Sequence, residues 1–476
     1  MFDDLLDRSL AEPAYFQLYR RISAAVLNGT LAEGARLPSA RSLASQLGIT
    51  RGTVEEAYGQ LAGEGYIQGR GAAGTFVASV ARVTAVPAPI VPARVVPASE
   101  RGPLPFQMGL PALDLFPRKL WARLAARQAH GLSSRALEVP DPAGIPALRQ
   151  AIGRYLAVAR GIDVSPEQVI VTAGFQGALG LLARALDVAG RPVWIEEPGY
   201  FMARHGLTAA GARLVPGPVD GEGLDVAAGV ALAPDARLAL VSPSHHPSLG
   251  MALSLPRRLQ LLDWAAKHEA WIVEDDYDSE FRYVGRPLPP LKSLDRAERV
   301  LYAGTFSKTL FPGLRIGYLV APASLTGRLV ETAAMLAPMP AADSQATIAA
   351  FLTEGHFGRH IRRMRRHYAQ RRAALAHALE REFGAAAVAL GAGGMHVLLR
   401  LSDGTNDKAV AAACLTAGLT PSTLSTAYAG PVKRQGLLLS FTNLPPEQAR
   451  AMVQRLAVAV GAPAPMSNQR TCAERG

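Results

Sequence analysis

The chain has few cysteines, few lysines and no long apolar run, and these shortages exclude whole classes of protein. Cys414 and Cys472 are the only cysteines among 476 residues, so we expect neither a disulfide framework nor a cysteine-based metal site, as is usual in a reducing cytoplasm. No stretch of about 18 apolar residues occurs, so no membrane-spanning helix is expected. The start, Met1-Phe2-Asp3-Asp4, lacks the apolar core of a secretion signal.

Composition indicates a globular protein of more than one domain. Hydrophobic residues make up 49% of the chain and charged residues 19%, and 476 residues exceed what one ordinary core accommodates. The net charge of +11 is compatible with a nucleic-acid partner. Residues 1–78, however, carry seven Arg against eight acids, so any DNA affinity there must come from local placement of charge.

The pattern of the chain predicts three consecutive segments and a tail. Residues 1–78 are compact and periodic, residues 79–105 are rich in proline, and residues 106–462 alternate short apolar runs with helical patterns. Spaced prolines favour an extended linker, and the alternation is typical of a parallel α/β sheet. The predicted buried strands are Val169–Thr172, Pro192–Ile195, Leu238–Val241 and Trp271–Glu274. Residues 463–476 are expected to be a disordered tail.

The N-terminal segment has the pattern of a winged helix-turn-helix. Tyr15, Tyr19, Ile22 and Val26 share one helical face. The expected second helix has Ser39 as N-cap and ends at Gly48, and the third is capped by Thr50. Its core positions, and the two strands of a glycine-containing wing that follow, are Val54, Ala57, Tyr58 and Leu61, then Tyr66-Ile67 and Thr75-Phe76-Val77.

These residues resemble the winged helix of GntR-family bacterial regulators. The similarity includes Leu37-Pro38-Ser39, Gly48-Ile49-Thr50-Arg51 and Gly74-Thr75-Phe76-Val77. It implies operator DNA contacts by Ser39, Arg41, Arg51, Thr53, Gly71 and Gly74. Residues at the start of a recognition helix enter the major groove, where Arg suits guanine. Gly52 stands where the family often carries a polar side chain, so a base contact is expected to be missing there. The alternative is a winged helix that contacts only protein.

Lys308 lies in an apolar setting in a chain that has only six lysines. It follows Gly304-Thr305-Phe306-Ser307 and precedes Arg315, while Asp275 and Tyr277 lie some thirty residues upstream. A lysine that forms a Schiff base, an acid for a pyridine nitrogen, a tyrosine for a phenolic oxygen and an arginine for a phosphate are what pyridoxal 5′-phosphate (PLP) requires. Desolvation would lower the lysine pKa and favour imine formation.

Two further turns fit the same interpretation. Thr172 to Ala178 follows a predicted strand and begins a helix, where free N–H groups bind anions. Glu196 to Tyr200 places an aromatic ring at the carboxyl end of the next strand, where open α/β sheets bind ligands. No His or Cys accompanies the acids around Asp275 at metal-ligand spacing, so no metal is expected.

Residues 106–460 resemble a fold-type I aminotransferase, and the whole chain is similar to the MocR subfamily of GntR regulators, which includes PdxR-like and GabR-like branches. The matching runs are Asp141–Gly144, Leu148-Arg149, Glu196–Tyr200, Glu274–Tyr283, Gly304–Leu310 and Leu314–Tyr318. The resemblance implies a homodimer, with Lys308 as the Schiff-base lysine. It further implies cofactor contacts by Asp275, Tyr277, Arg315, Ser307, Phe175, Gln176 and Tyr200.

Two departures from the subfamily pattern bear on ligand choice. His246 replaces a common Gln and Pro247 comes one place early, so His245 and His246 are either cofactor neighbours or ordinary loop residues. Leu438 stands where amino-acid-binding members carry an Arg that clamps the substrate carboxylate, and Leu cannot form that bidentate pair. Arg400 or Arg204 is a candidate substitute.

Three functions are consistent with this sequence. The first is a cytoplasmic transcription regulator that senses PLP, or PLP with an amino acid or amine, and so controls vitamin B6 or amino-acid metabolism. The second is a working PLP-dependent aminotransferase, which the missing Arg at 438 disfavours. The third is a scaffold without cofactor, which the intact Lys308 set disfavours. The Arg-rich run from Arg362 to Arg372 is either a solvated helix face or an aid to DNA or dimer contacts.

Overall fold

The computed structural model describes residues 6, 12–79, 102–286, 288–336, 339–402 and 404–461. It divides the chain into two compact units, Met1–Ala98 and Ser99–Gly476, and the division falls within the predicted linker 79–105. Most of that linker and the whole tail 463–476 lie outside the described residues, so their boundaries stay predictions. Within the described part of the chain, no helix is long and apolar enough to cross a membrane.

The N-terminal unit packs three helices around one small core. The helices are α1 Ala14–Leu27, α2 Ala40–Leu47 and α3 Arg51–Gly63. The Ser39 hydroxyl accepts a hydrogen bond from the backbone N–H of Ser42, and the Thr50 hydroxyl accepts one from Thr53, so both predicted N-caps are present. Gly48 ends α2 in the left-handed conformation, at φ 65°. The four core positions predicted for α3 are all buried.

The wing has one strand more than the sequence indicated. Its strands are β1 Arg36–Leu37, β2 Ile67–Gly69 and β3 Thr75–Val77, in the order β1-β3-β2. The second strand begins at Ile67, one residue after the predicted Tyr66, and β1 pairs with β3 through Arg36 opposite Phe76. A two-residue strand has no period of its own, so the sequence pattern could not have predicted it.

The C-terminal unit contains a large sheet between helices and a smaller sheet near its end. Its helices are α4 Arg118–His130, α5 Pro146–Arg160, α6 Gly174–Ala185, α7 Phe201–Ala209, α8 Val226–Leu232, α9 Leu255–Lys267, α10 Leu291–Leu294, α11 Ala323–Leu336, α12 Ala342–Thr353, α13 His356–Phe383, α14 Asp407–Thr416 and α15 Ala449–Gly461. Its strands are β4 Val169–Thr172, β5 Pro192–Glu197, β6 Arg213–Asp220, β7 Gly223–Leu224, β8 Leu238–Val241, β9 Trp271–Asp276, β10 Val300–Thr305, β11 Gly317–Val320, β12 Val388–Ala389, β13 His396–Arg400, β14 Ser422–Thr423 and β15 Gly436–Ser440.

The large sheet is mixed rather than wholly parallel. Its eight strands run in the order β4-β11-β10-β9-β8-β5-β6-β7, and the inner pairs from β10 to β6 are parallel. β11 is antiparallel to both β10 and β4. The expectation of a parallel sheet was wrong at this point because residues 306–316 are too few for the crossover that a parallel neighbour requires. The four predicted buried strands correspond to β4, β5, β8 and β9, and their residues are almost entirely buried.

The small sheet, in the order β12-β13-β15-β14, is antiparallel throughout. Its register pairs His396 with Ser440 and Leu398 with Leu438. A helix of 28 residues, α13, precedes it and buries Ile361, Met364 and Tyr368 against the core. The small sheet therefore brings residues near 396 and 438 to the edge of the large sheet where Asp275 and Lys308 lie.

Candidate cofactor cavity and candidate DNA interface

A cavity of about 620 Å³ opens where strands of the large sheet end. The pairing of Thr305 with Gly317, and of Gly317 with Thr172, brings the ends of β10 and β4 together. Gly317 permits this approach, since a Cβ there would lie 2.8 Å from the Gly304 oxygen and 3.1 Å from the Gly174 backbone. The lining includes all eight residues predicted to contact a cofactor, namely Phe175, Gln176, Tyr200, Asp275, Tyr277, Ser307, Lys308 and Arg315. Their contact with a cofactor stays a prediction.

Lys308 is held in this cavity by one backbone acceptor. Its Nζ donates a hydrogen bond to the Gly109 oxygen at 2.9 Å. Burial lowers the pKa of the Lys308 amine, against the opposing effect of Asp278 and Asp275. A lowered pKa increases the fraction of neutral amine, which is the nucleophilic form.

Asp275 is a buried carboxyl that forms no ion pair with a described residue, although the nearby Lys308 amine lowers its pKa in part. It makes no hydrogen bond or ion pair with any residue that the structure describes, although it lines the cavity beside Lys308. Burial raises its pKa well above the ordinary range, and the neighbouring charges of Asp276, Asp278 and Glu196 add to the rise. A cation in the cavity would reverse this cost, so the site fits a ligand that carries a protonated ring nitrogen.

The start of α6 offers a second group without a partner. The Nε2 atom of Gln176 is buried and has no hydrogen-bond acceptor among the described residues. Arg315, which adopts the left-handed conformation at φ 50°, also lines the cavity and makes no ion pair there. A free amide N–H, a free guanidinium and the N-terminus of a 12-residue helix together fit a phosphate group.

His245 connects Tyr277 to Asp278. Its Nδ1 lies 2.8 Å from the Tyr277 hydroxyl and 3.1 Å from Asp278 Oδ2. Because a carboxylate only accepts, this nitrogen carries a hydrogen and donates it. Burial raises the pKa of Tyr277 well above 10, with Asp278 adding to the effect, so the phenol stays neutral. His245 therefore fixes two residues of the cavity wall and is not an ordinary loop residue.

His246 has a structural part in the same loop. Its Nε2 lies 2.8 Å from the Pro198 oxygen, and its Nδ1 accepts from the backbone N–H groups of Ser248 and Leu249. Since Nδ1 accepts, the hydrogen lies on Nε2, which donates to Pro198. Burial lowers the pKa of His246 to about 3. A neutral imidazole thus braces the loop, in the place where the subfamily often has Gln.

The far wall of the cavity contains no arginine that could clamp a carboxylate. Leu438 is buried there. Arg204 donates to the backbone oxygens of Thr426 and Ala427, which line the cavity, but Arg204 itself does not line it. Arg400, at the other end of β13, is exposed and donates to Ala386. Neither candidate substitute lines the cavity, so Arg315 is its only arginine among the described residues.

His396 lines the same wall, and sequence reasoning missed it. Its ring is buried and lies 5.4 Å from the ring of His245, centroid to centroid. Burial lowers the pKa of His396 to about 3. The two histidines are separated by 150 residues and meet only through the small sheet.

Asp278 is a second cavity residue that sequence reasoning did not assign to the site. It could have been assigned, because it belongs to the acidic run that drew attention to Asp275. Within the described ranges no group of three or more His, Cys, Asp or Glu side chains could hold a metal ion.

The predicted DNA-contacting side chains lie on the N-terminal unit. Arg41 and Arg51 are exposed, and Arg51 forms an ion pair with Glu55 at 2.7 Å. The Thr53 hydroxyl lies 2.8 Å from that of Thr50. Ser39 uses its hydroxyl oxygen as a helix cap. Arg51 and Thr53 lie at the start of α3, which is where a recognition helix meets base edges, whereas Ser39 and Arg41 lie at the start of α2.

The wing adds two kinds of group to the candidate DNA interface: the backbone of its glycine turn, and two arginines that sequence reasoning missed. Gly71 and Gly74 have φ of 58° and 107°, values that disfavour any side chain at the wing turn. Arg36 approaches Gly74, where a Cβ would lie 3.1 Å from its Nε. Arg70 stacks over the Phe76 ring at 5.0 Å. Both arginines lie beside the turn, and the register of β1 with β3 is what places Arg36 there.

Comparison with known families and proteins agrees with both units. Residues 14–77 match the family "Bacterial regulatory proteins, gntR family" and residues 113–457 match "Aminotransferase class I and II". The chain is 37% identical to a probable rhizopine catabolism regulatory protein, MocR, of Rhizobium meliloti, over 95% of this chain and 94% of that protein. It is 34% identical to the pyridoxine biosynthesis regulator PdxR of Corynebacterium glutamicum, over 93% and 95% respectively.

Solved structures agree on the larger unit. The α-aminoadipate aminotransferase LysN of Thermus thermophilus, solved with a phosphopyridoxyl-leucine compound, is 30% identical with a TM-score of 0.69, over 76% of this chain and 92% of that one. An archaeal alanine:glyoxylate aminotransferase is 26% identical with a TM-score of 0.70, over 75% and 90%. Aminotransferases of class I and II depend on PLP.

A winged helix and an aminotransferase-like unit on one chain define a DNA-binding transcriptional regulator built on an enzyme fold. Within that class the chain belongs to the MocR-type regulators of the GntR family.

Proposed function

We propose that this regulator binds PLP through Lys308 and that PLP, alone or with an amine, changes its affinity for operator DNA. The observation that carries the proposal is one cavity lined by a half-buried lysine, a buried carboxyl that forms no ion pair and a glutamine whose amide nitrogen has no acceptor among the described residues. PLP supplies an aldehyde that reacts with primary amines and a ring that accepts electrons from them.

The chain's own residues give each part of that molecule a place. Lys308 presents an amine whose pKa is lowered by burial, which increases its neutral fraction. Asp275 offers a carboxylate to the ring nitrogen, and Tyr277, held by His245, offers a phenol to the ring oxygen. Arg315, Ser307 and the start of α6 form the end of the cavity that suits the phosphate. The rings of Phe175 and Tyr200 lie 6.1 Å apart on the same cavity wall, where the pyridine ring is expected to stack.

Leu438 supports a sensor rather than an enzyme of amino-acid metabolism. With no second arginine in the cavity, a 2-amino acid loses a charge-assisted contact that is typically worth about 1.5–3 kcal/mol. The relatives named for rhizopine catabolism and pyridoxine biosynthesis are both regulators. PLP itself, or an amine without a carboxylate, is therefore the signal we propose, with vitamin B6 or amino-acid metabolism as the regulated process and the cytoplasm as its location.

An exposed apolar surface supports a homodimer. Leu137, Val139, Met335 and Leu336 are 73, 95, 76 and 56% exposed, and Leu137 and Val139 also line, with Ala333 and Met339, a concavity of about 500 Å³. Patches of this kind mark association sites in soluble proteins. A dimer would present two winged helices to paired half-sites of the operator.

The test compares operator binding by PLP-free and PLP-loaded protein. We expect the two forms to differ in operator affinity, and by linkage operator DNA should change PLP affinity by the same factor. A panel of 2-amino acids should give turnover well below 1 s⁻¹, the low end of typical enzymes. Leu438→Arg should strengthen amino-acid binding by about tenfold or more, since each 1.4 kcal/mol is a factor of ten.

Two results would overturn the proposal. Identical operator isotherms for both forms would remove the sensor function. Turnover of an amino acid near 1 s⁻¹ or faster would favour the rival function, a working aminotransferase that carries a DNA-binding module.

A further inference from the structure

A concave surface of about 420 Å³ on the C-terminal unit is lined only by arginines, and we call it the arginine groove. Its residues, all on the first three turns of α13, are Arg359, Arg362, Arg363, Arg365 and Arg366. Their spacing of three, four and seven residues places them along one side of the helix. The opposite side buries Phe357, Ile361 and Met364.

No acid among the described residues forms an ion pair with the arginines of this groove. The 24 residues from His356 to Leu379 contain no Asp or Glu, and the first acid of the helix is Glu380. Arg362, Arg363 and Arg366 make no hydrogen bond or ion pair with any described residue. Arg365 donates to the Glu280 oxygen, and Arg359 donates to Glu354 and His356. Three of the five guanidiniums thus have all their donors free.

A solvated helix face does not explain this arrangement well. Like charges three and four residues apart destabilise a helix by about 0.2–0.5 kcal/mol per pair, and exposed helix faces usually interleave acids with bases. Elsewhere in this unit the exposed Lys267 is paired with Asp263 one turn away. The adjacent Arg371 and Arg372 are not part of the groove, because Arg371 pairs with Asp114 and Arg372 donates to Gly391. The concentration of unpaired arginine calls for an anionic partner.

The chemistry of the groove fits the phosphate backbone of duplex DNA. Guanidiniums match phosphates with two donors at once. Arg359 and Arg366 are seven residues apart, a rise of about 10 Å along the helix, over which one DNA strand carries about three phosphates. No aromatic ring lines the groove, so it lacks the stacking platform that single-stranded nucleic acid uses. Two copies facing each other across a two-fold axis would bring like charges together.

We propose that the arginine groove is a second, sequence-independent DNA contact of this regulator, separate from its winged helix. The operator reader on the same chain keeps DNA at a high effective concentration, so weak contacts in the groove suffice. The groove adds affinity and salt dependence for duplex DNA, while base recognition stays with the N-terminal unit.

The test measures binding of the full-length protein to random-sequence duplexes of about 12 and 40 base pairs at several KCl concentrations. The variant is Arg362→Gln/Arg363→Gln/Arg366→Gln. The matched control, Arg154→Gln/Arg184→Gln/Arg328→Gln, removes three exposed arginines from α5, α6 and α11, none of which forms an ion pair with a described residue. Thermal unfolding by circular dichroism checks that both variants fold.

We expect the groove variant to lower the salt slope on the longer duplex by about two to three, since each lost phosphate contact removes about 0.9. Affinity at low salt should fall by tenfold or more, with little change on the short duplex or in the control. Replacement of the same three residues by Lys should keep most of the slope. Equal slopes for variant and control would overturn the proposal. A change of oligomeric mass by light scattering with unchanged slopes would also overturn it, and would assign the groove to subunit contact.

Discussion

The two units place their predicted functional residues in opposite surroundings. In the N-terminal unit these residues are exposed or half-buried, and two of them have neighbours on the same helix end: Arg51 pairs with Glu55, and the Thr53 hydroxyl lies within hydrogen-bonding distance of that of Thr50. In the C-terminal unit Asp275 is buried and Lys308 is half-buried, and the Asp275 carboxyl has no hydrogen-bond or ion-pair partner among the described residues. In the first unit, water solvates a charged side chain that has no DNA bound to it. In the second unit, burying a charge without a partner destabilises the folded protein until a ligand supplies the opposite charge.

This difference determines how much each unit's structure indicates about its ligand. A buried charge without a partner specifies the complementary charge of its ligand, as Asp275 does for a ring nitrogen. An exposed arginine specifies little, because solvent accepts it in any orientation. The chemistry of the ligand can therefore be inferred from the cavity. The structure of the winged helix indicates which residues contact DNA, but it does not indicate the operator sequence.

The largest effect should follow from Lys308→Ala. Without that amine no lysine lines the described cavity, so borohydride reduction should fix no PLP to the protein. The visible absorbance of lysine-bound PLP should be absent as well. Operator binding should remain measurable, because the DNA-contacting residues belong to the other unit. Mass spectrometry of the reduced protein is the measurement, and exposed Lys119→Ala is the control.

An adduct that persists on another lysine in Lys308→Ala would show that the cavity was wrongly assigned. Loss of operator binding together with the adduct would show that the two units cannot be compared as separate modules.

The second effect concerns the exposed unit and should be smaller. Arg51→Ala should weaken operator binding by roughly 1–3 kcal/mol, the worth of a bidentate base contact, with much less change on random DNA. Glu55→Gln should strengthen binding to random DNA, since it removes a negative charge beside Arg51 on the recognition helix. The exposed ion pair costs only about 0.3–0.5 kcal/mol to break. Fluorescence anisotropy with operator and random duplexes measures both, and Glu56→Gln on the same helix is the control.

Equal losses on operator and random DNA for Arg51→Ala would make Arg51 a phosphate contact. No loss on either duplex would mean that Arg51 is a solvated surface residue that does not contact DNA. The alternative of a winged helix that contacts only protein would then gain support.

The sequence predicted those parts of the molecule that local physics determines. The runs at 169–172 and 238–241 are continuous apolar segments of strand length, and they form β4 and β8. Ser39 and Thr50 are capping residues followed by amphipathic periods, and both begin helices. For the same reason the residues around Lys308 could be assigned to one site, because strand ends of an open α/β sheet converge.

Features that depend on distant partners could not be predicted. His396 meets His245 only because β13 packs beside the large sheet, and neither neighbouring sequence indicates the other. The antiparallel direction of β11 depends on the length of a connection, and the pairing of β1 depends on two residues. That Arg204 and Arg400 lie outside the cavity required coordinates, since both are near candidate strands in the sequence.

The smallest effect should appear in the stability of the buried unit as pH falls. The pKa of His246 is about 3 in the folded protein, below the ordinary 6.5, because burial disfavours the charged ring. The unfolded chain therefore binds a proton near pH 6.5 that the folded chain excludes, and stability falls as pH decreases from 6.5 towards 3. His246→Gln should remove this part of the pH dependence, because a Gln amide can both donate to Pro198 and accept from the loop.

All four tryptophans belong to the C-terminal unit, so their fluorescence during urea unfolding reports that unit alone. Relative to the wild type, His246→Gln should gain about 1.4 kcal/mol for each pH unit below 6. Taking the difference between two proteins cancels titrating groups far from His246. Two groups close to it remain in the difference: Glu196, whose carboxyl lies 3.9 Å from His246 Nε2 and whose pKa burial raises to about 8, and His396, whose pKa the charge of His246 lowers further. Exposed His130→Gln should show no such gain. A constant difference between pH 7.5 and pH 5 would mean that His246 is charged in the folded state, and the neutral brace would be wrong.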